Sequence, residues 1–257
     1  MKKLAILLMA LVVAPAAMAW GGFGHQVIVE IAKQNLTKRA AQNIERYMPY
    51  DIVQDASWMD AHRHDEGIAH TTHWHGFRYD KNHKYDEAAA PKGSAIIALR
   101  LAEKTLSNYR EQTDSAVLMS LRFVLHFVGD MHCQTHANPG PTARVAVTLR
   151  GKKYKNLHAV YDAMPRLLYP YPTTAIAAAQ ELDNCSKKRI AKITSGSYVD
   201  WANEIASKAY IIHEWCPAGM TKLPADLVLW SEEMTKELLR DAGYRTAMLL
   251  NRFFDHD

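Results

Sequence analysis

Two histidine–aspartate pairs with i, i+4 spacing stand out in this chain: His126 with Asp130 in LRFVLHFVGDMHCQTH, and His158 with Asp162 in NLHAVYD. On a helix, residues four apart share a face one turn apart. An imidazole and a carboxylate so placed converge on one cation, and zinc takes such nitrogen and oxygen ligands at ~2.0–2.2 Å. Phe123, Val124, Leu125, Phe127 and Val128 surround the first pair, and charge buried among them is costly unless neutralised. A His–Asp hydrogen bond in a helix bundle would serve as well for one pair alone. A second pair, with His136 between them and thirteen histidines in clusters, tips the balance to metal.

The segment ASWMDAHRHD adds Asp60, a further hard ligand, and Arg63 three residues on, expected on the same helical face. An arginine beside a metal site clamps phosphate, because its planar fork matches paired oxygens. An ion pair of Arg63 with Asp60 or Asp65 is the plainer alternative. HTTHWHGF supplies His70, His73 and His75, among which the residues alone do not choose.

At the N-terminus, Lys2 and Lys3 precede an apolar run, Leu4 to Val13, and then the small-residue site Ala17-Met18-Ala19. This is the order of a secretory signal peptide, far short of the roughly 20 apolar residues a membrane span needs. The expectation is a signal over 1–19, a single domain over 20–257, and a secreted or periplasmic protein without a membrane anchor. Cleavage between Ala19 and Trp20 would free an α-amine of pKa near ~7.7–8.0, whose proton a metal displaces readily. The amine and carbonyl of Trp20 could then chelate zinc, with His25 completing the site. The plainer roles are a core anchor for Trp20 and an ordinary helix residue for His25.

The formal net charge is +4, and two of those charges are the lysines of the leader. That is too little to argue for a nucleic-acid or membrane partner by itself. Three cysteines in an oxidising compartment imply one disulfide and one spare thiol. Cys185 with Cys216 is favoured, since Cys133 lies in the histidine-rich helix. No Cys-x-x-Cys-His is present, which argues against a c-type haem protein.

Helical periodicity positions these residues. Helices are expected over His25 to Met48, Ser94 to Tyr109, Val117 to His132, Thr173 to Ile193, Val199 to His213 and Asp226 to Phe254. Val145, Val147 and Leu149 alternate with polar residues, which predicts a strand, turning at Gly151-Lys152 into Lys153 to Lys155. Gly67 to Pro91 is irregular. The class is mostly α, a single domain with a small β-hairpin.

WGGFGH, SWMDAHR, THWHGF, LRFVLHFVGDMHCQTH, NLHAVYD and, more weakly, DWANEIASKAY resemble the single-strand-specific zinc nucleases and 3'-nucleotidases, the S-one/P-one nuclease type. Their fold is shared with the zinc-dependent bacterial phospholipases C. The resemblance implies three zinc ions. Asp60, His75, His126 and Asp130 would hold the first. Asp130 would bridge to a second, held also by the Trp20 amine and carbonyl and by His25. His136, His158 and Asp162 would hold a third. His62, His64, His70, His73 and His83 are left outside the ligand set.

Asp130 and Arg63 are the implied catalytic residues. Zinc-held hydroxide would attack phosphorus in line, and Arg63 would stabilise the phosphoryl oxygens. The implied substrates are single-stranded DNA and RNA and 3'-nucleotides, the products 5'-phosphorylated, and the protein a monomer. The chain departs from the family pattern at Cys133-Gln134-Thr135, at the loop Asn138 to Thr142, at Tyr161 and at Arg78. A phospholipase C is the first competitor, though Asp162 stands where those enzymes carry Glu. A non-catalytic secreted zinc protein is the second, and the presence of Arg63 speaks against it.

Overall fold

The computed structural model describes residues 20–138, 145–217 and 219–256. The expected signal peptide (1–19) and the loop at 139–144 lie outside the described residues. Ten α-helices are described: α1 (Gly21–Gln34), α2 (Lys38–Glu45), α3 (Trp58–Ala61), α4 (Ala95–Leu106), α5 (Asp114–His132), α6 (Leu157–Leu168), α7 (Ala175–Leu182), α8 (Lys187–Ile193), α9 (Tyr198–Trp215) and α10 (Ala225–Phe254). Short 3-10 turns cover Ile52–Asp55, Ala69–Trp74 and Tyr109–Glu111. The mostly α class is as expected.

Helix starts are set by side chains that accept the free N–H groups of the first turn. Thr113 does this for α5, Asn156 for α6, and Ser197 with Asp200 form a capping box on α9. The same chemistry interrupts two helices that periodicity alone would run straight through. Thr37 accepts from Ala40 N–H and starts α2, which splits His25 to Met48. Ser186 accepts from Arg189 N–H and starts α8, which splits Thr173 to Ile193 after Leu182.

Two small sheets accompany the helices. β1 (Phe77–Arg78) runs parallel to β2 (Ala137–Asn138), with Arg78 opposite Asn138. β1 and the 3-10 turn at Ala69–Trp74 give structure to part of the expected irregular region. β3 (Val147–Leu149) and β4 (Lys152–Tyr154) form the expected hairpin. Its turn falls one residue early, at Arg150-Gly151. Both residues have positive φ, 50° and 78°, as a two-residue type I′ turn demands.

The long helix α10, roughly 45 Å at 1.5 Å per residue, is the spine against which α1, α5 and α2 pack. Gly243 lets α1 come close, because a Cβ there would sit 2.6 Å from Ile31 Cβ. Val27, Ile28, Ile31 and Ala32 of α1 are fully buried at this contact, the stripe expected from their spacing. Among the described residues no helix is long and apolar enough to cross a membrane.

The expected Cys185–Cys216 disulfide is not formed, and all three cysteines are free thiols. Tertiary packing gives the two different neighbours. The backbone of Cys185 donates to the Tyr244 hydroxyl on α10, whereas Cys216 closes the C-terminus of α9.

Candidate metal centre

Helix α5 carries His126 and Asp130 on one buried face, as the i, i+4 spacing requires. Asp130 is the hub. Its Oδ2 lies 2.9 Å from His75 Nδ1 and 3.2 Å from His126 Nε2. Its Oδ1 lies 3.4 Å from both His25 Nε2 and His136 Nδ1. Three other elements bring the remaining rings in, α1 with His25, the end of the 3-10 turn with His75 and the turn after α5 with His136, and α3 adds the Asp60 carboxylate.

His25 reaches Asp130 because residue 129 is glycine. A Cβ there would lie 2.8 Å from His25 Nδ1. The His25 ring stacks on His126 with centroids 4.1 Å apart. His126 Nδ1 lies 3.0 Å from the Ala56 carbonyl and donates to it, which turns Nε2 towards Asp130 and His75. This is the backbone orientation typical of metal-ligating histidines. Asp60 Oδ1 stands 3.5 Å from His75 Nδ1. Of His70, His73 and His75, the one that meets both aspartates is His75. His70 packs edge-on to Trp74, and His73 is exposed on the cleft wall.

The second pair sits at the start of α6. His158 Nε2 is 3.4 Å from Asp162 Oδ2, and His136 Nε2 is 3.7 Å from Asp162 Oδ1. The rings of His136 and His158 stack at 4.6 Å. His62 stacks on Trp58, His83 on Tyr210, and His64 lies exposed beside Arg63.

Trp20 is fully buried and donates its indole N–H to the Gly129 carbonyl at 2.7 Å. Its carbonyl accepts from Gly24 N–H at 3.1 Å. Arg63 differs from expectation: α3 ends at Ala61, so Arg63 does not share its face, but it lines the same cleft as Asp60 and His75. That cleft has a volume of about 890 Å³.

The electrostatics are those of a site short of positive charge. Burial pushes the Asp162 carboxyl up to about 8, the nearby Asp130 charge adding to the effect against His158. Burial opposes the charge on Asp130, but His126, His75 and His136 outweigh it and hold that carboxyl well below its usual range. Burial likewise depresses His126, yet Asp130 and Asp60 lift it to about 9. His25, His136 and His158 are lowered, chiefly by burial.

Both ring nitrogens of His25 and His136, both oxygens of Asp130 and Asp162, Asp60 Oδ2 and His75 Nε2 are buried without a hydrogen-bond partner. Unpaired buried polar atoms are rare and costly, and a divalent cation is the group that satisfies nitrogen and carboxylate donors together. Among the described residues four groups lie close enough to hold an ion, and three of them are here: His25, His126 and Asp130; Asp60, His75 and His126; and Cys133, His136 and Asp162; the fourth, Glu204, Glu237 and Asp241, lies apart on α9 and α10. Sequence reasoning missed Cys133, whose Cys-x-x-His spacing to His136 was the available signal. It also passed over Arg245, buried on α10, which donates to His132 Nε2 at 2.7 Å and pairs with Glu204.

The fold and cleft define a helical protein with His and Asp side chains that could hold metal clustered around one carboxylate. The chain belongs to the S1/P1 Nuclease family, whose model matches residues 20–255. It is similar to nuclease P1 of Penicillium citrinum, 24% identical over 70% of this chain and 68% of that one. It is also similar to nuclease S1 of Aspergillus oryzae, 24% identical with 94% of each chain covered. Endonuclease 2 of Arabidopsis thaliana is 25% identical over 58% of this chain and 57% of its own.

Proposed function

We propose that the protein is a zinc-dependent phosphodiesterase, an endonuclease on single-stranded DNA and RNA that also takes 3'-nucleotides and leaves 5'-phosphorylated products. The observation that carries this reading is the set of buried, unpartnered nitrogen and carboxylate donors gathered around Asp130, in a chain of a nuclease family. Three zinc ions suit these donors: one at Asp60, His75, His126 and Asp130, one at the Trp20 amine and carbonyl, His25 and Asp130, and one at His136, His158 and Asp162. The Trp20 amine requires cleavage after Ala19, which goes with a secreted or periplasmic, monomeric, single-domain enzyme.

Bound zinc supplies Lewis-acid polarisation of the phosphoryl group and an acidified water. The chain's own residues do the rest. Asp130 serves both sides, Oδ1 facing His25 and Oδ2 facing His75 and His126. With a metal bound, the Nδ1–H bond to the Ala56 carbonyl would leave the Nε2 lone pair of His126 as the ligand. Arg63, on the cleft wall, offers a planar pair of N–H groups to the non-bridging phosphoryl oxygens. A recessed site of this kind favours a splayed strand with an unstacked base over a duplex.

The test is hydrolysis of single- and double-stranded DNA by the processed protein, with zinc, after chelation, and with Asp130→Asn. Phosphatidylcholine serves as the lipid control. Zinc-dependent cleavage of the single strand, reduced about 100-fold or more in the variant, is the expected result. Full activity after chelation, or turnover of the lipid alone, would sink the reading.

A further inference from the structure

One member of the third donor group has no role in the reading above. Cys133 follows the last residue of α5 and is fully buried. Its N–H donates to the Asp130 carbonyl at 3.1 Å, and His136 N–H donates back to the Cys133 carbonyl at 2.9 Å. One tight turn therefore presents Cys133 and His136 three residues apart. Cys133 Sγ, a ring nitrogen of His136 and a carboxylate oxygen of Asp162 all lie within 4.8 Å of one another. Zinc binds sulfur at ~2.3 Å and nitrogen or oxygen at ~2.0–2.2 Å, so tetrahedral donors stand roughly 3.3–3.8 Å apart. Small side-chain rotations close this triangle on one ion.

A second observation points to a ligand at the same place. His136 and Asp162 are 4% and 6% exposed, yet both nitrogens of the one and both oxygens of the other lack a hydrogen-bond partner. Cys133 Sγ itself touches Thr135 Oγ1 at 3.6 Å. An ion that satisfies those atoms lies within reach of Cys133 Sγ.

We propose that Cys133 is a ligand of the ion held by His136 and Asp162, making that site one of mixed sulfur, nitrogen and oxygen donors. The proposal rests on the three-zinc reading. On coordination the thiol proton leaves to solvent, and the buried thiolate gains the cationic neighbour that a carboxylate beside it does not supply. A thiolate softens the site, favouring cadmium and Cu(I) over harder ions, and fills a coordination position that water would hold. The ion here is then the last to leave under a chelator, although the His158 side chain beside it is 40% exposed.

The processed protein is stripped, reloaded with Co²⁺ and counted for metal by atomic emission. Near-ultraviolet spectra are then recorded for the wild type, Cys133→Ser and Cys216→Ser. The expected result is a thiolate-to-cobalt charge-transfer band in the wild type and in Cys216→Ser, absent from Cys133→Ser. A wild type that binds cobalt without that band, or a band that survives Cys133→Ser, overturns the proposal and leaves the metal centre standing. A wild type that binds no cobalt overturns the three-zinc reading itself, and the proposal with it. Cadmium-113 NMR of the wild type needs no variant: one resonance shifted far downfield by sulfur supports the proposal, and resonances confined to the nitrogen–oxygen range refute it.

Discussion

The indole nitrogen of Trp20 donates to the carbonyl of Gly129 at 2.7 Å. This bond fastens the first turn of α1 to the α5 residue that precedes Asp130. It orients the N-terminal segment at the same place where glycine admits the His25 ring.

Trp20→Phe keeps most of the ring volume but leaves the Gly129 carbonyl without this donor. Loss of a buried partner costs about 1–3 kcal/mol. A lower urea midpoint together with weaker metal retention is expected. Unchanged values in both would show that the bond neither stabilises the fold nor orients the site.

A single residue added in front of Trp20 turns its amine into an amide. If the amine is a ligand, atomic emission will count one zinc fewer per chain, with folding intact by circular dichroism. A full count in the extended protein would remove Trp20 from the ligand set.

Gly129→Ala separates propensity from packing. Alanine favours a helix interior by about 1 kcal/mol over glycine, but its Cβ would fall 2.8 Å from His25 Nδ1 and 3.1 Å from Ile28 Cδ1. The overpacking should prevail, lowering stability by about 1–3 kcal/mol. Zinc affinity should fall about tenfold or more, read by chelator competition. A variant that is more stable and equally tight for zinc would contradict the close approach of His25 to α5.

Glu204 gives the fold a defined acid sensitivity. Burial alone would raise its carboxyl, but Arg245 and Lys208 outweigh this and hold it down at about 2, below the ordinary 4.5. The folded state therefore binds this proton less readily than the unfolded state. The contribution is fully present above about pH 4.5 and is lost as pH falls through about 2. Because the side chain is 38% exposed, the amount is on the order of 1 kcal/mol. The gap in urea midpoint between wild type and Glu204→Gln should shrink from about pH 5 to about pH 3. A constant gap would mean that the pair with Arg245 carries no titrating energy.

What could be read from residue types alone was whatever depends on neighbours along the chain. The pairs His126–Asp130 and His158–Asp162 lie on helices as their spacing requires, because 3.6 residues per turn sets that geometry locally. The breaks at Thr37 and Ser186 were not legible, since serine and threonine also occur inside helices and act as caps only where the next turn's N–H groups face them. The spacing puts Arg63 on a helical face, but α3 ends at Ala61, two residues short.

Local periodicity and side-chain chemistry account for the helical class, the α1 stripe and the His and Asp donors. Which donors meet is a matter of long-range packing. It chose His75 over His70 and His73, brought His25 across α5 to Asp130, set Cys133 beside Asp162 and kept Cys185 apart from Cys216. Those outcomes depend on how closely α1, α5, α6 and α10 approach one another. That approach is governed by steric fit at positions such as Gly129 and Gly243, between residues far apart in the chain, where no spacing rule reaches.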